Sequence, residues 1–587
     1  MNGTQRTLRS ALIALLLLCV TGGIAEAGIM FQGFYWEPHD PGKPWWDHLV
    51  DLMPHLRNCG VTSIWVPSPC KGSSGGYSTG YDPYDWYDLG SKDQRGTVAT
   101  RFGTKEQFLA MVAIAHAHGM DVYPEVVINH RDGGRDDGYI YDRLVGSEGV
   151  GRFTMCHNDF HHGGQGDWDR DLTGRDIAHE VPYVRDGFYR WIRWFDKQTG
   201  CDGYRLDAVK HMDPKFIEGL LWQIQEGSGQ NRFAVGEYYD GNPWILQNWV
   251  NAVRRRSSVF DFTLFFRLLD MAHQNGYFDM RRLRERFWDT EKAVTFVNNH
   301  DTFRRANGLH LYMRANLAYA FILSAEGYPS VYYKDLFDDA GNTRYFLLNM
   351  MWIHTWFAHG RQIERWADED LYILEREGNL IAAFNDNSVS WREAWVPTCF
   401  GPNVKLHDYT GDIGDRWTNN HGWVKVSVPP SGYVMLARDG FQTYIPCPPA
   451  RRTIQEYEGN YDMDLRPAGE WWGEPIKFVH KVGERIEINC WLEDRDRTVH
   501  VALFDDHGLC INKAKGRGAV KLEYNIANAT GWYQVRVGLE KTGKWHRSPY
   551  WLKIDYQGPE KLPKFYPPVG NCDWDLPKLD PPSTSNP

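Results

Sequence analysis

The sequence predicts an α/β protein built on a (β/α)8 TIM barrel with a small loop subdomain after its third strand, followed by an antiparallel β domain and a further all-β C-terminal module. Three observations predict it. Between residues 28 and 369, short β-rich runs alternate with amphipathic helical stretches, the pattern of parallel strands bridged by helices. Acidic residues close several of those runs, at the strand ends where barrels of this kind carry their chemistry. Beyond residue 370 the helical period stops, and short alternating strands separated by turn residues take over.

The elements follow in order. Arg6 and Arg9, the apolar stretch Ala11–Val20 and the small-residue sequence Ala25-Glu-Ala27 read as a secretory signal over residues 1–27, cleaved before Gly28. That stretch is too short for a bilayer span and no later one is longer, so a secreted protein with no membrane partner is expected, extracellular or periplasmic. Candidate barrel strands are Ile29–Tyr35, Thr62–Val66, Asp121–Ile128, Gly203–Asp207, Phe233–Glu237, Ser258–Phe262, Val294–Asn298 and Ser330–Tyr333. Helical periods such as Lys105–His118 and Tyr183–Lys197 lie between them. Residues 131–175, rich in Gly, Asp and His, are too long for an ordinary connection and predict the loop subdomain. Leu371–Arg376, Leu380–Asn385 and Trp423–Val428 place the antiparallel domain at 370–438, and Pro446, Pro448 and Pro449 mark a linker at 439–453. Arg485–Leu492, Val499–Phe504 and Trp532–Val537 belong to an all-β module at 454–557, before a Pro-rich tail at 558–587. The module holds Trp471, Trp472, Trp491, Trp532, Trp545 and Trp551, which fit core packing or a carbohydrate-binding face.

Composition narrows the function. With 587 residues and 42% hydrophobic content the chain can build several cores. Its net charge of −10 is spread along the sequence, which disfavours a nucleic-acid partner. Aromatic residues reach 14%, enough for large cores and also for sugar binding, because the C–H faces of pyranose rings pack on aromatic planes. Of the ten cysteines Cys19 leaves with the signal, so the remaining odd number implies a free thiol. Cys59–Cys70 and Cys490–Cys510 remain open as pairings.

The chemistry centres on Gly203-Tyr-Arg-Leu-Asp-Ala-Val-Lys-His211. Residues i and i+2 of a strand face the same way, so Arg205 and Asp207 should emerge side by side. A guanidinium next to a carboxylate holds it ionised, as a nucleophile requires. Glu125-Val-Val-Ile-Asn-His130, Val235-Gly-Glu-Tyr-Tyr-Asp240 and Phe296-Val-Asn-Asn-His-Asp301 each end or follow an apolar run, which sets Asp207, Glu237 and Asp301 at successive strand ends. Glycoside cleavage needs such a set: a charged carboxylate to attack the anomeric carbon and a protonated one to release the leaving oxygen. Glu237, following apolar Phe233-Ala-Val-Gly, suits the acid, and Asp301 beside His300 suits stabilisation of an oxocarbenium-like transition state.

In their order along the chain the four segments resemble the four signature regions of the alpha-amylase family, glycoside hydrolase family 13, and the resemblance runs from residue 29 to about 438. Ile29–Glu37, Gly80-Tyr-Asp-Pro-Tyr-Asp-Trp-Tyr-Asp-Leu89 and Val122–His130 are most similar to the secreted bacterial liquefying enzymes. The resemblance implies a monomer that performs retaining endo-hydrolysis of α-1,4-glucosidic bonds in starch, glycogen and related α-glucan polysaccharides. It casts Asp207 as nucleophile, Glu237 as general acid and then base, and Asp301 as the third carboxylate. Arg205 would orient Asp207, His130 and His300 would bond sugar hydroxyls, Tyr81 would stack under the sugar, and Lys210 and His211 would meet the leaving chain. Alternatives on the same scaffold are a maltooligosaccharide-forming exo-amylase or an α-glucan transglycosylase. A non-catalytic glucan-binding protein is more remote, because all three carboxylates and Arg205 are present.

The resemblance also implies calcium as cofactor, held by Asn129, Asp176 and the carbonyl of His211, with Asp169 a further candidate against Asp167 and Asp171. Two departures stand out. Glu125 occupies a position where the family carries aspartate, so its carboxylate is displaced by a methylene. The excursion Arg131–Arg175 is shorter than in the liquefying enzymes, so further metal sites are not expected. Tyr332-Tyr-Lys334 does not supply the basic residue of a chloride site.

Overall fold

The computed structural model describes residues 28–40, 42–132, 159–161, 175–303, 308–311, 313–337, 343–439, 452–462, 476–480, 485–492, 495–505, 510–525, 531–539 and 547–557. The expected signal at 1–27, the Pro-rich tail, Asp167, Asp169 and Asp171 lie outside them, as do Trp471, Trp472 and Trp545.

Eight parallel strands close into a barrel: β1 (Ile29–Gln32), β2 (Val61–Val66), β3 (Asp121–Val126), β4 (Gly203–Leu206), β5 (Phe233–Gly236), β6 (Ser258–Phe260), β7 (Ala293–Phe296) and β8 (Tyr328–Tyr332). Each strand pairs with its neighbours in the chain, and Met30 opposite Ser330 closes β8 onto β1. The strands read as near-continuous buried apolar runs because a parallel sheet covered by helices is hidden on both faces. Several end earlier than the sequence pattern implies. β4 stops at Leu206 and β5 at Gly236, so Asp207 and Glu237 are the first residues past the ladder.

Helix starts at the same end of the barrel fix the turns around those residues. Asp213, Asn242 and Asp261 cap the helices Pro214–Ile224, Pro243–Ala252 and Phe262–Gln274, each side chain accepting a backbone N–H. Pro214 and Pro243 occupy the first helical turn, where the missing N–H costs nothing. Lys105–Ala117 begins with a reciprocal capping box between Thr104 and Gln107.

After the barrel come β9 (Gln362–Ala367), β10 (Leu371–Arg376), β11 (Leu380–Asn385), β12 (Arg392–Pro397), β13 (Lys405–Asp408), β14 (Arg416–Trp417), β15 (Trp423–Val428) and β16 (Gly432–Arg438). They form an antiparallel sheet in the order β9-β10-β11-β16-β13-β14 and the pair β12-β15, around Ile373, Ile381, Val396, Val426 and Leu436. The last segment contains β17 (Arg452–Asp462), β18 (Ile476–His480), β19 (Arg485–Leu492), β20 (Thr498–Asp505), β21 (Cys510–Arg517), β22 (Ala519–Asn525), β23 (Gly531–Leu539) and β24 (Arg547–Gln557). These make two antiparallel sheets, β17-β24-β19-β22 and β18-β23-β20-β21.

Neither candidate disulfide forms. Cys59, Cys70 and Cys490 are buried thiols and Cys510 is an exposed one. Cys490 is buried on β19, and Cys510 opens β21 in the other sheet, exposed. Among the described residues no helix is long and apolar enough to cross a membrane.

Candidate active site

Arg205 organises the C-terminal end of the barrel. It projects from β4, is 1% exposed, and its guanidinium meets three carboxylates. Nη1 lies 2.5 Å from Asp207 Oδ1 and 3.2 Å from Glu125 Oε1, and Nη2 lies 3.2 Å from Glu237 Oε2. The plane of Trp65 on β2 completes the setting, 5.2 Å from the guanidinium carbon. Arg205 and Asp207 thus emerge side by side, and the same cation also reaches carboxylates from the neighbouring strands on both sides.

Backbone geometry sets the carboxylates. Asp207 N–H donates to the Val126 carbonyl (3.1 Å) and Glu237 N–H to that of Leu206 (2.9 Å), so each is held by the preceding strand. Ala208 takes a left-handed conformation, φ 50°, and its N–H donates to Glu237 Oε2 at 3.0 Å. A non-glycine residue held there costs on the order of 1 kcal/mol, and such strain collects at functional sites. Burial pushes the Glu237 carboxyl up to about 7, with the Arg205 cation opposing and the charges of Asp207 and Asp301 adding to the rise. Glu125 is buried beneath Arg205 and burial lifts it to about 8. It stands directly opposite Arg205 in the β3–β4 ladder. Asp301 lies on the loop after β7, its side chain 46% exposed, 3.4 Å from His300 Nε2.

The remaining sugar-facing candidates assemble on one side. Tyr81 OH is 2.6 Å from His300 Nε2, and the ring of Tyr81 stacks on Trp36 with centroids 5.1 Å apart and planes within 3°. His300 stacks on both, and its Nδ1 is 2.9 Å from Gln32 Nε2, a donor that fixes Nδ1 as acceptor. His130 is buried with Nε2 2.9 Å from the Tyr81 carbonyl. Lys210 and His211 follow on a short helical turn, Val209–His211, with Lys210 Nζ 3.5 Å from the Tyr239 carbonyl. Asp202 and Asp240, which flank these segments, have structural roles: Asp202 meets His116 and accepts the Val122 N–H, and Asp240 accepts the Asn242 N–H. Gln32, Trp36 and Trp65 escaped the sequence reading. The signal available was position: Gln32 and Trp65 lie at the C-terminal ends of β1 and β2, and Trp36 on the loop that follows β1.

Of the metal candidates, Asn129 and Asp176 come together. His130 pairs with Asp176 in a two-residue antiparallel ladder, and Ile177 N–H donates to the Asn129 carbonyl at 3.0 Å. Asn129 Oδ1 is buried and accepts no hydrogen bond, whereas Asp176 Oδ2 lies 2.7 Å from His161 Nδ1. No group of three His, Cys, Asp or Glu side chains able to hold a metal ion occurs among the described residues.

Comparison with known proteins agrees with the geometry. Residues 171–344 match the family model "Alpha amylase, catalytic domain", and residues 380–436 match "Alpha-amylase C-terminal". The chain is 29% identical to the alpha-amylase of Bacillus licheniformis over 71% of its own length and 94% of the relative. It is 30% identical to the cytoplasmic alpha-amylase of Escherichia coli (strain K12), with 52% of this chain and 74% of the relative covered. It is equally 30% identical to the glucan 1,4-alpha-maltohexaosidase of Bacillus sp. (strain 707), with 53% and 71% covered. In fold it resembles the alpha-amylase of Geobacillus thermoleovorans solved with acarbose, at a TM-score of 0.56 and 19% identity, over 70% of this chain and 98% of that one. The closed barrel, the carboxylates gathered on Arg205 and relatives of this similarity lead to one conclusion: the chain belongs to the alpha-amylase family of glycoside hydrolases.

Proposed function

We propose that the protein hydrolyses α-1,4-glucosidic bonds within starch-like glucans, with retention of configuration. The observation that carries the reading is the shared contact of Asp207 and Glu237 with one buried guanidinium while burial holds Glu237 near pH 7 as a proton donor. Asp207 attacks the anomeric carbon and forms a glycosyl ester as Glu237 passes its proton to the leaving oxygen. Glu237, now ionised, takes a proton from water, whose oxygen displaces Asp207 and restores the acid. Asp301 stabilises the positive charge that develops on the ring in both steps. Tyr81 stacks under the sugar at the cleavage point, with His130 and His300 on its hydroxyls and Lys210 and His211 toward the leaving chain.

A time course of products from soluble starch and amylose tests this. Early viscosity loss with mixed oligomers is expected. A single oligomer released from chain ends, or cyclic and lengthened products, would assign the second reading, exo-action or transglycosylation. That reading draws support from the maltohexaosidase relative and from a cyclomaltodextrin glucanotransferase of Bacillus sp. (strain 1-1), 26% identical over 64% of this chain.

Calcium fits the residues present. Asn129 Oδ1 is a buried oxygen without a hydrogen bond, and Asp176, paired with the next residue His130, supplies a carboxylate on the adjoining segment. We assign the ion to these two, the His211 carbonyl and Asp169, where it would tie the excursion to the barrel. A chelator should lower the melting temperature of the parent, and Asn129→Leu should abolish that response. Export through residues 1–27 belongs to the same proposal, and a mature N-terminus at Gly28 is the expected result of sequencing the secreted protein. The C-terminal module is assigned to glucan anchoring because Trp491 and Trp551 stand directly opposite on β19 and β24, 42% and 40% exposed. Unchanged retention on insoluble starch after its deletion would reject that role.

A further inference from the structure

The opposite, N-terminal end of the barrel holds a separate cavity of about 580 Å3, framed by the starts of β5 and β6 and by Lys292 just before β7. Its lining is cationic. Arg232, Arg254, Arg255, Arg256 and Lys292 contribute to it, against the single acid Glu226. Three of these arginines follow the helix Pro243–Ala252, and Arg254 and Arg255 are both left-handed, with φ of 53° and 58°. Helix ends normally give that conformation to glycine or asparagine. Cations also suit the negative end of a helix dipole, which is the plain explanation for the run. It does not account for Arg232 and Lys292, which reach the cavity from other elements.

The surrounding carboxylates fix the guanidinium groups. Arg232 Nε is 2.8 Å from Asp196, Arg256 Nε is 2.9 Å from Glu218, and Arg255 pairs with Asp289. None of these three acids lines the cavity, while Arg256 Nη1 also meets the lining acid Glu226 at 3.1 Å and Arg255 Nη2 meets Glu291 at 3.5 Å. Lys292 makes no ion pair among the described residues, and burial followed by the Arg255 charge pushes its ammonium below the usual lysine range. An anion is the partner Lys292 lacks, with four guanidinium groups held in place around the same space. The volume lies within the range of about 300–1,000 Å3 common for small-molecule sites, more than a bare phosphate fills. Gln230, Asn231 and Ser258 add neutral hydrogen-bonding groups suited to hydroxyls.

We propose that this cavity binds a phosphate monoester carried on a sugar, with the arginines and Lys292 on the phosphate and the amides on the ring. The ester could be a free hexose phosphate or a phosphate on a glucan chain. Calorimetric titration of the full chain with glucose 6-phosphate at low salt tests it. Saturable binding is expected, with no response to glucose, and Lys292→Gln should weaken it by about tenfold or more, as loss of one charge-assisted contact does. Arg254→Gln should act likewise. The Arg254 side chain is 76% exposed and 3.9 Å from its nearest acid, so its removal strands no buried charge. Starch hydrolysis and melting temperature without ligand should be unchanged in both variants. Absence of saturable heat up to about 10 mM, or equal affinity in parent and both variants, would overturn the proposal. A melting temperature lowered by Arg254→Gln with no ligand heat would also overturn it, leaving helix capping as the role. Affinity electrophoresis through phosphorylated and phosphatase-treated starch separates the sources: greater retardation by the ester, lost in Lys292→Gln, assigns the glucan, and equal retardation assigns the free sugar.

Discussion

Replacing Arg205 with methionine keeps the length and apolar body of the side chain and removes its charge. Two opposite charges 3.2 Å apart attract by about 5 kcal/mol at an effective dielectric of 20. Desolvation offsets part of this, and measured losses on breaking a buried pair are about 3–5 kcal/mol because a charge is left uncompensated. Here the guanidinium serves three carboxyls, of which Glu125, near 8, is mostly protonated at pH 7 and Glu237, near 7, is about half so. The attraction thus falls mainly on Asp207 and in part on Glu237, and a loss of about 3–5 kcal/mol is expected rather than a multiple of it. Denaturant unfolding followed by tryptophan fluorescence measures it. Arg205 also opposes the rise of the Glu237 carboxyl, so Arg205→Met should move the alkaline limb of residual activity to higher pH. Arg205→Lys, which keeps the charge and loses the fork, should fall between. A methionine variant within about 1 kcal/mol of the parent and within tenfold of its activity would refute the reasoning, since surface substitutions already vary by nearly that much.

Further expectations follow from the same contacts. In the parent, kcat/KM should decline above about pH 7 as Glu237 ionises, and a flat profile to pH 9 would exclude it as the acid. Tyr81→Phe keeps the stack on Trp36 but loses the 2.6 Å contact with His300, so kcat/KM should drop about tenfold, with a larger drop for Tyr81→Ala. Burial and the Arg57 charge push buried His118 down to about 3. The unfolded chain therefore binds the proton first, and stability should fall as pH drops from about 6.5 toward 3. His118→Leu should lose less over that window in acid unfolding, and an unaltered acid midpoint would contradict the assignment.

Strand ends and strand parity were legible in the sequence because they depend on local period alone. Arg205 and Asp207 are two residues apart on β4, and Glu237 follows the apolar run of β5, so their placement needed no long-range contact. Contacts made by barrel closure were not legible. Gln32 meets His300 only because β8 returns to β1 and brings distant segments of the chain together. Trp65 and Trp36 carry no charge and read as core. Glu125 looked displaced by a methylene; its buried partner appears only once β3 and β4 pair, with Glu125 opposite Arg205. The cysteine pairings failed because sequence spacing says nothing about the Cα separation and direction a disulfide requires. His161 beside Asp176 was equally hidden, since it comes from the long excursion.

Asp207 is the residue proposed to bond the sugar. Incubating Glu237→Gln with α-maltosyl fluoride tests this most directly, because fluoride leaves without an acid while the missing base stalls hydrolysis of the ester. Peptide mass spectrometry should then find the maltosyl group on the segment Gly203–Lys210, at Asp207. A label on Asp301, or no label together with release of β-configured product by the parent enzyme, would contradict the mechanism.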